Sequence, residues 1–460
     1  MDAASLVSAW NGLVQQLALA FTTEATARTW QQIALGWVLH RGAATVTGIY
    51  RALGPLADRH WTVYHKFFYR PAWTLKDLSA ELTARVLLPM IVESGALDAA
   101  TGQPAVDLNI DDTTAARYGK HVAHAGWYKD ASAQGPATRG TVIHWAHHWV
   151  VGAFTLRLPH WALTRWVLPA IFALYRKRDD CDRSHPFATR QQLAVQMVRQ
   201  VHSALAGVQI RVAADGAYAT RQMVVGLPPN VSLVSRIRRD AAIYDLPPTH
   251  RPKGKRGAPP KKGRRLPAPK HLAARRKNGW RKLTLLKQGG TVQREVLGIT
   301  CLWYHVCRGQ PIRLVIVRDP VGRQEDDFLF CTDATVDDEQ IVQRFYDRWG
   351  VEEGIFEAKQ FLGFEDTRGW CSKTVLRQAP IAMVLTTLVK VWYARCALDE
   401  PSLLPEAVPW NQHKTRPSFA DMLSALRRVL WLHRISPNST LRGRVRGILK
   451  TVAAALFAAA

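Results

Sequence analysis

The sequence predicts an α/β fold with a mixed sheet, flanked at both ends by helical regions, and three observations carry that prediction. Val106, Leu108 and Ile110 alternate with Asp107, Asn109 and Asp111, the period of two expected of a half-buried strand. Further strand-like runs lie at Gly140 to Leu158, Val208 to Ala214 and Val231 to Arg236, with helical spacing from Ala162 to Lys177 and from Gln191 to Leu205. Strands first in succession and then alternating with helices argue for a mixed sheet. Before this region, from Ser5 to Leu39 and Leu75 to Val92, and after it, from Lys373 on, apolar residues recur at three- and four-residue spacing, as in helices.

The elements divide the chain into residues 1–103, a helical N-terminal region; 104–370, an α/β region; and 371–460, a helical C-terminal region suited to dimerisation. Within the first, Arg51 to Arg70 interleaves basic and aromatic residues, the composition of a helical unit that contacts DNA or of a small bundle with a solvated basic face. The α/β region is interrupted at about 240–310 by a basic, β-rich insertion. Its stretch from Arg251 to Lys282 holds fourteen Lys and Arg and no acid, with five prolines, and is expected to be a loop or tether. Such a block is either a solvated arm or one that tracks a DNA backbone. Strands resume from Leu283 to Asp319 and Phe328 to Thr332, and a long helix begins near Val336-Asp-Asp-Glu339, whose acids suit a helix N-terminus.

Charge narrows the function. With 62 Lys and Arg against 36 Asp and Glu, the net charge is +26, a field that attracts phosphate polyanions or anionic membrane surfaces. Arg157, His160 and Arg165 interrupt the apolar stretch from Trp149 to Tyr175, and Thr451 to Ala460 is about half the roughly 20 residues a span needs. The start lacks the basic segment of a signal peptide, so a cytoplasmic, nucleoid-associated protein with reduced thiols is expected. Its six cysteines form no CxxC pair, and Cys301 and Cys307 are too far apart for a zinc knuckle. No Walker A sequence occurs, so ATP is not expected as an energy source. Nucleic acid is the leading partner.

Three acidic clusters stand where a strand or helix would present a carboxylate: Asp111-Asp112, Asp215 and Glu352-Glu353. Phosphodiesters are cleaved by two divalent ions ~3.5–4 Å apart, and Mg²⁺ prefers oxygen ligands, so two Asp and one Glu suffice. Taken singly, each Asp also reads as a turn former. Phe345, Arg348, Glu352 and Lys359 are spaced to share one helical face, either as a site or as an ion-paired surface stripe. His144, His147 and His148 read as packing or DNA-facing residues, and Trp349 and Trp370 as core residues or stacking platforms.

Phe345, Arg348, Glu352 and Lys359 resemble the Tyr-(2)-Arg-(3)-Glu-(6)-Lys signature of the DDE transposases of bacterial cut-and-paste insertion sequences, with Phe in place of Tyr. Ile110-Asp-Asp-Thr-Thr114 resembles that family's first-Asp strand, Ala213-Ala-Asp-Gly-Ala-Tyr218 its second, and Arg139-Gly140 followed by His144 the strand between. The resemblance implies an RNase H-like core with a catalytic and metal-binding triad of Asp112, Asp215 and Glu352. Asp112 is preferred over the alternative Asp111 by the family's acid-Asp-Thr context and by sharing Ile110's strand face. It further implies two Mg²⁺ ions, replaceable by Mn²⁺, and DNA contacts from Arg348, Lys359, Trp349, His144 and Arg139. The partners implied are double-stranded DNA, namely terminal inverted repeats and target, and a second copy of the chain in a synaptic homodimer. The expected activity is cleavage at element ends followed by strand transfer. A non-catalytic DNA-binding derivative and a two-metal nuclease without strand joining are the alternatives.

Overall fold

The computed structural model describes residues 2–129, 142–161, 164–248, 258–287, 290–405, 412, 414 and 416–435. Six helices come first: α1 (Ala3–Gln16), α2 (Glu24–Leu39), α3 (Val46–Leu53), α4 (Trp61–Phe67), α5 (Leu75–Glu81) and α6 (Leu88–Glu93). Thr23, Thr45 and Thr74 cap α2, α3 and α5, each accepting a first-turn backbone N–H that lacks a partner within the helix. In the basic aromatic stretch Tyr64, Phe67 and Phe68 are buried, so most of its rings build core; Trp61 and Tyr69 face outward.

Strands β1 (Ala105–Ala116), β2 (Gly126–Lys129), β3 (Ile143–Leu156) and β4 (Trp166–Tyr175) precede helix α7 (Arg190–Ala204). Then follow β5 (Gln209–Ala214), α8 (Arg221–Gly226), β6 (Ser232–Arg236), α9 (Pro269–Arg275), β7 (Arg281–Lys287), β8 (Gly290–Leu302), α10 (Tyr304–Cys307), β9 (Pro311–Arg318) and β10 (Asp327–Cys331). Four helices come last among the described residues: α11 (Asp338–Asp347), α12 (Trp349–Leu362), α13 (Ser372–Asp399) and α14 (Phe419–Ile435).

Among the described residues ten strands form one mixed sheet in the order β2-β3-β1-β5-β6-β10-β9-β8-β7, with β4 also on β3. The half β4-β3-β1-β5-β6 has antiparallel pairs β4/β3 and β3/β1, then parallel pairs β1/β5 and β5/β6. That is RNase H-like topology, and β10 to β7 extend it as an antiparallel meander. Helix α7 covers one face, and α12 and α13 cover the other.

Two expectations are corrected. Trp166 to Tyr175 is a strand rather than part of a helix, because the sheet is covered on both faces there and its residues are apolar without alternation. Pro169 lacks the N–H a helix needs and sits where the register shifts opposite Gly152 and Ala153. The basic stretch is also not simply a tether. Residues 251–257 lie outside the described residues, but from 258 onward the chain docks, with Leu272 and Ala273 of α9 buried and the Lys270 N–H donating to the Arg239 carbonyl.

Helix α13 is long and apolar enough to cross a membrane by length and composition, yet 89% of that window is buried inside the protein. Tryptophans tie the helical regions together: Trp37 Nε1 donates to the Leu362 carbonyl (2.8 Å) and Trp392 Nε1 to the Leu6 carbonyl (3.0 Å). Arg427 Nε on α14 donates to the Val38 carbonyl (2.7 Å). The N- and C-terminal helices therefore share one apolar core with the sheet. None of the six cysteines is in a disulfide.

Candidate active site

The parity of β1 decides which carboxylate faces which helix. Asp107, Asn109 and Asp111 point toward α11 and α12: Asp107 pairs with Arg344, and Asn109 Nδ2 donates to the Asp347 carbonyl. Leu108 and Ile110 point to the apolar face under α7, and Asp112 follows them. The parallel ladder matches Asn109 with Ala213 and Ile110 with Ala214, so the next residues in step are Asp111, midway along β1 where its pairing with β5 stops, and Asp215, immediately after β5. Asp215 then leads into the short helix Gly216–Tyr218 without its carboxylate capping it, and its carbonyl accepts the Ser235 hydroxyl.

Glu352 arrives on α12, which lies unusually close to β4. Gly350 and Gly354 permit this, since a Cβ on either would fall 2.5 Å from Val167 or 2.9 Å from Pro169. The buried Arg348 guanidinium sits between two carboxylates, Nη1 donating to Asp111 Oδ2 (2.7 Å) and Nη2 to Glu352 Oε1 (3.1 Å). Phe345, the residue that departs from the signature, is buried with the Arg348 and Arg236 guanidiniums over its ring at 5.5 and 5.1 Å. The neighbouring Tyr346 hydroxyl accepts from Arg294 Nε (3.0 Å), so it does not replace the missing phenol. Lys359 reaches the far end of β1, donating to the Thr114 carbonyl at 2.7 Å.

The two adjacent aspartates differ in charge. Burial pushes the Asp111 carboxyl up to about 7, with Asp112 and Glu352 adding to the rise and Arg348 opposing it. Burial also acts on Asp112, but hydrogen bonds and charge from His148 and Arg190 prevail and hold it below the usual carboxylate range. Its Oδ2 is bonded to His148 Nε2 and Arg190 Nη1, and its Oδ1 accepts from the Tyr218 hydroxyl (3.2 Å). Glu352 and Arg348 thus meet Asp111, the alternative in the sequence reading, whereas Asp112 hangs on the opposite face.

The donor set fits a divalent cation by chemistry, being carboxylate oxygens throughout. Its spacing is open: among the described residues no three His, Cys, Asp or Glu side chains are gathered closely enough to hold an ion, and Arg348 lies between Asp111 and Glu352. Beside Arg348 opens a cavity of about 500 Å³ lined by the cations Arg165, Arg236 and Lys287, by the carboxylates Glu325 and Asp327, and by Trp349, so cations outnumber acids there. Trp349 and Trp370 are 51% and 69% exposed, not core. His144 stands on β3 opposite Tyr128, and Arg139 lies outside the described residues. His147 is structural: its Nδ1 accepts from Arg117 Nε (2.8 Å), and burial pushes the ring down to about 3, so it stays neutral.

Arg190, Arg165, Arg236 and Lys287 are not singled out by the sequence, because no motif or spacing marks them and only the fold brings Arg190 to Asp112 and the other three to the cavity beside Arg348. No curated protein matches the chain. A family model described as DDE superfamily endonuclease matches residues 16–294, a span that includes Asp111, Asp112 and Asp215 and ends before Glu352. With the match running over more than half its length and RNase H-like topology beneath it, the chain belongs to the DDE superfamily endonucleases.

Proposed function

We propose that this endonuclease is a transposase with Asp111, Asp215 and Glu352 as its metal-binding carboxylates, cutting DNA at the ends of a mobile element and joining the freed ends to a target. One observation carries the reading: Asp111 and Asp215 stand in step just past the last pair of the β1/β5 parallel ladder, and Arg348 links Asp111 to Glu352. Asp111 accordingly takes the place that the sequence pattern gave to Asp112.

When bound, two Mg²⁺ ions, or Mn²⁺ in their place, would activate the attacking oxygen and stabilise the leaving oxygen. The remaining work belongs to the chain. Arg348 pairs with both Asp111 and Glu352, offsetting one of their two charges, and its planar fork suits a phosphate. Lys359 offers a point charge where β1 ends. Trp349, half exposed beside the basic cavity, offers a ring on which a base can stack. Two ends must be brought together, so two copies are expected to act as one complex.

The test is Mg²⁺-dependent cleavage and joining of DNA taken from both flanks of the native gene, at fixed salt, comparing wild type with Asp111→Asn, Asp112→Asn and Glu352→Gln. Discrete end cleavage with joined strands, lost in Asp111→Asn and Glu352→Gln but retained by Asp112→Asn at saturating protein, is the expected result. Cleavage without joining would reduce the activity to a two-metal nuclease. DNA binding without cleavage by the wild type would leave a non-catalytic derivative.

A further inference from the structure

On the side of β1 away from Asp111 lies a second cavity, of about 580 Å³. Lys129, Lys177, Arg190 and Lys359 line it against a single carboxylate, Asp112, which already accepts bonds from Arg190, His148 and Tyr218. Tyr128 forms part of the wall. The residue is 9% exposed, and among the described residues its hydroxyl is buried without a hydrogen-bond partner, although buried polar groups are nearly always paired. The Lys177 ammonium stands 5.3 Å from the Tyr128 ring centroid, and His148 packs edge-on against both Tyr128 and Tyr175. A lone donor within a ring of cations calls for an anionic acceptor.

The geometry points to a phosphate-binding pocket for the DNA backbone on this face, distinct from the carboxylate site, in which Tyr128 Oη donates to a phosphate oxygen and Lys177 and Arg190 supply charge. Asp112 is then a positioning residue that holds Arg190 and His148 at the pocket floor. DNA is the source of the phosphate because α12 serves both sites: it carries Glu352 at one, and seven residues on it carries Lys359, which lines this cavity, donates to the Thr114 carbonyl and pairs with Glu365 (2.8 Å). The inference rests on the reading of the protein as a DNA-cutting enzyme.

Fluorescence anisotropy with a labelled DNA duplex, in EDTA and across a salt series, tests it on the full chain with Tyr128→Phe and Lys177→Gln. The expected result is about tenfold weaker binding for Tyr128→Phe, the effect of losing a hydrogen bond to a charged group. Its unfolding temperature should be unchanged or raised, because an unpaired buried hydroxyl has gone. Lys177→Gln should weaken binding and reduce the slope of log K against log salt by about one. Wild-type affinity and slope in both variants would overturn the pocket while leaving the cleavage reading intact. A rise in unfolding temperature with inorganic phosphate at matched ionic strength, without any change in DNA binding by the variants, would also overturn it, since the pocket would then take a free anion. Failure of the wild type to bind or cut DNA at all would strike the functional reading instead.

Discussion

Replacing Asp111 by Asn should make the metal-free protein more stable and the enzyme inactive. The Asp111 carboxyl is pushed from its ordinary 3.8 up to about 7 in the fold. A rise of about three units corresponds to roughly 4 kcal/mol against the ionised form. The sign follows from proton counting. Between those two values the folded state keeps a proton that the unfolded chain releases, so this group's contribution to stability declines as pH rises from about 4 through about 7. The rise is already net of the attraction to Arg348, and asparagine, like the neutral carboxyl, still offers that guanidinium an oxygen acceptor. The gain at pH 8 is therefore about 4 kcal/mol, vanishing near pH 4. The assay is urea unfolding in EDTA at pH 5 and pH 8, repeated with Mg²⁺. Mg²⁺ should stabilise the wild type at pH 8 and leave Asp111→Asn unmoved, and cleavage should fall by about 10³ or more, the several kcal/mol that a bound cation supplies to the transition state. Asp112→Asn should behave oppositely: its carboxyl is held low, so its stabilisation is present above pH 4, and the variant should be less stable at pH 8 while still responding to Mg²⁺. Retained Mg²⁺ response and cleavage in Asp111→Asn, with both lost in Asp112→Asn, would refute the assignment drawn from strand parity.

Three further outcomes follow from the packing around α12. Lys390→Met strands the buried Glu357 carboxylate, its ion-pair partner on that helix, and should cost about 3–5 kcal/mol in urea unfolding, with Glu357→Gln in the same chain restoring much of it. Gly350→Ala forces a methyl to within 2.5 Å of Val167 Cγ2, so unfolding should show a loss of about 1–3 kcal/mol and cleavage should slow as Glu352 is lifted from Asp111; Val167→Ala should relieve both effects. Trp349→Ala, at a half-exposed position, should leave the unfolding temperature within a degree or two while weakening DNA binding by about 1–3 kcal/mol, measured by anisotropy.

The parts of this fold legible in the sequence were those with a one-dimensional signature. β1 is legible from the period of two in Val106-Asp-Leu-Asn-Ile110, and β5 from the apolar run of Val208 to Ala214 that stops at Asp215, because each strand turns a face toward apolar packing. The run from Trp166 to Tyr175 was misread because a strand buried on both faces has no period to detect. The choice between Asp111 and Asp112 is not legible in the sequence for a related reason: the face that Asp112 shares with Ile110 packs under α7, and only the pairing of β1 with β5 puts Asp111 in step with Asp215, the arrangement on which the proposed assignment rests. The basic stretch hid its docked portion because Leu272 and Ala273 are two apolar residues among many cations, too few to reveal burial by composition.

The seam between β1 and the helices α11 and α12 is unusually ionic for a buried surface, and this bears on how the site is held. Asp107 meets Arg211 and Arg344, Asp347 meets Arg157 and Arg165, and Asp111 shares Arg348 with Glu352. Desolvation makes such pairs weak contributors to net stability compared with apolar packing of the same volume. Their value here is positional. A helix sliding by one residue along an apolar sheet loses little, whereas on this seam the same slip separates several buried charges at once, each break costing about 3–5 kcal/mol. The register of α12, and with it the approach of Glu352 to Asp111, is therefore fixed by penalties against misalignment more than by attraction in the aligned state. DNA phosphates entering beside Arg348 would compete for one guanidinium of this seam while Asp107, Asp347 and their arginines hold the helices in place, so the carboxylates can be freed without the scaffold that aligns them coming apart.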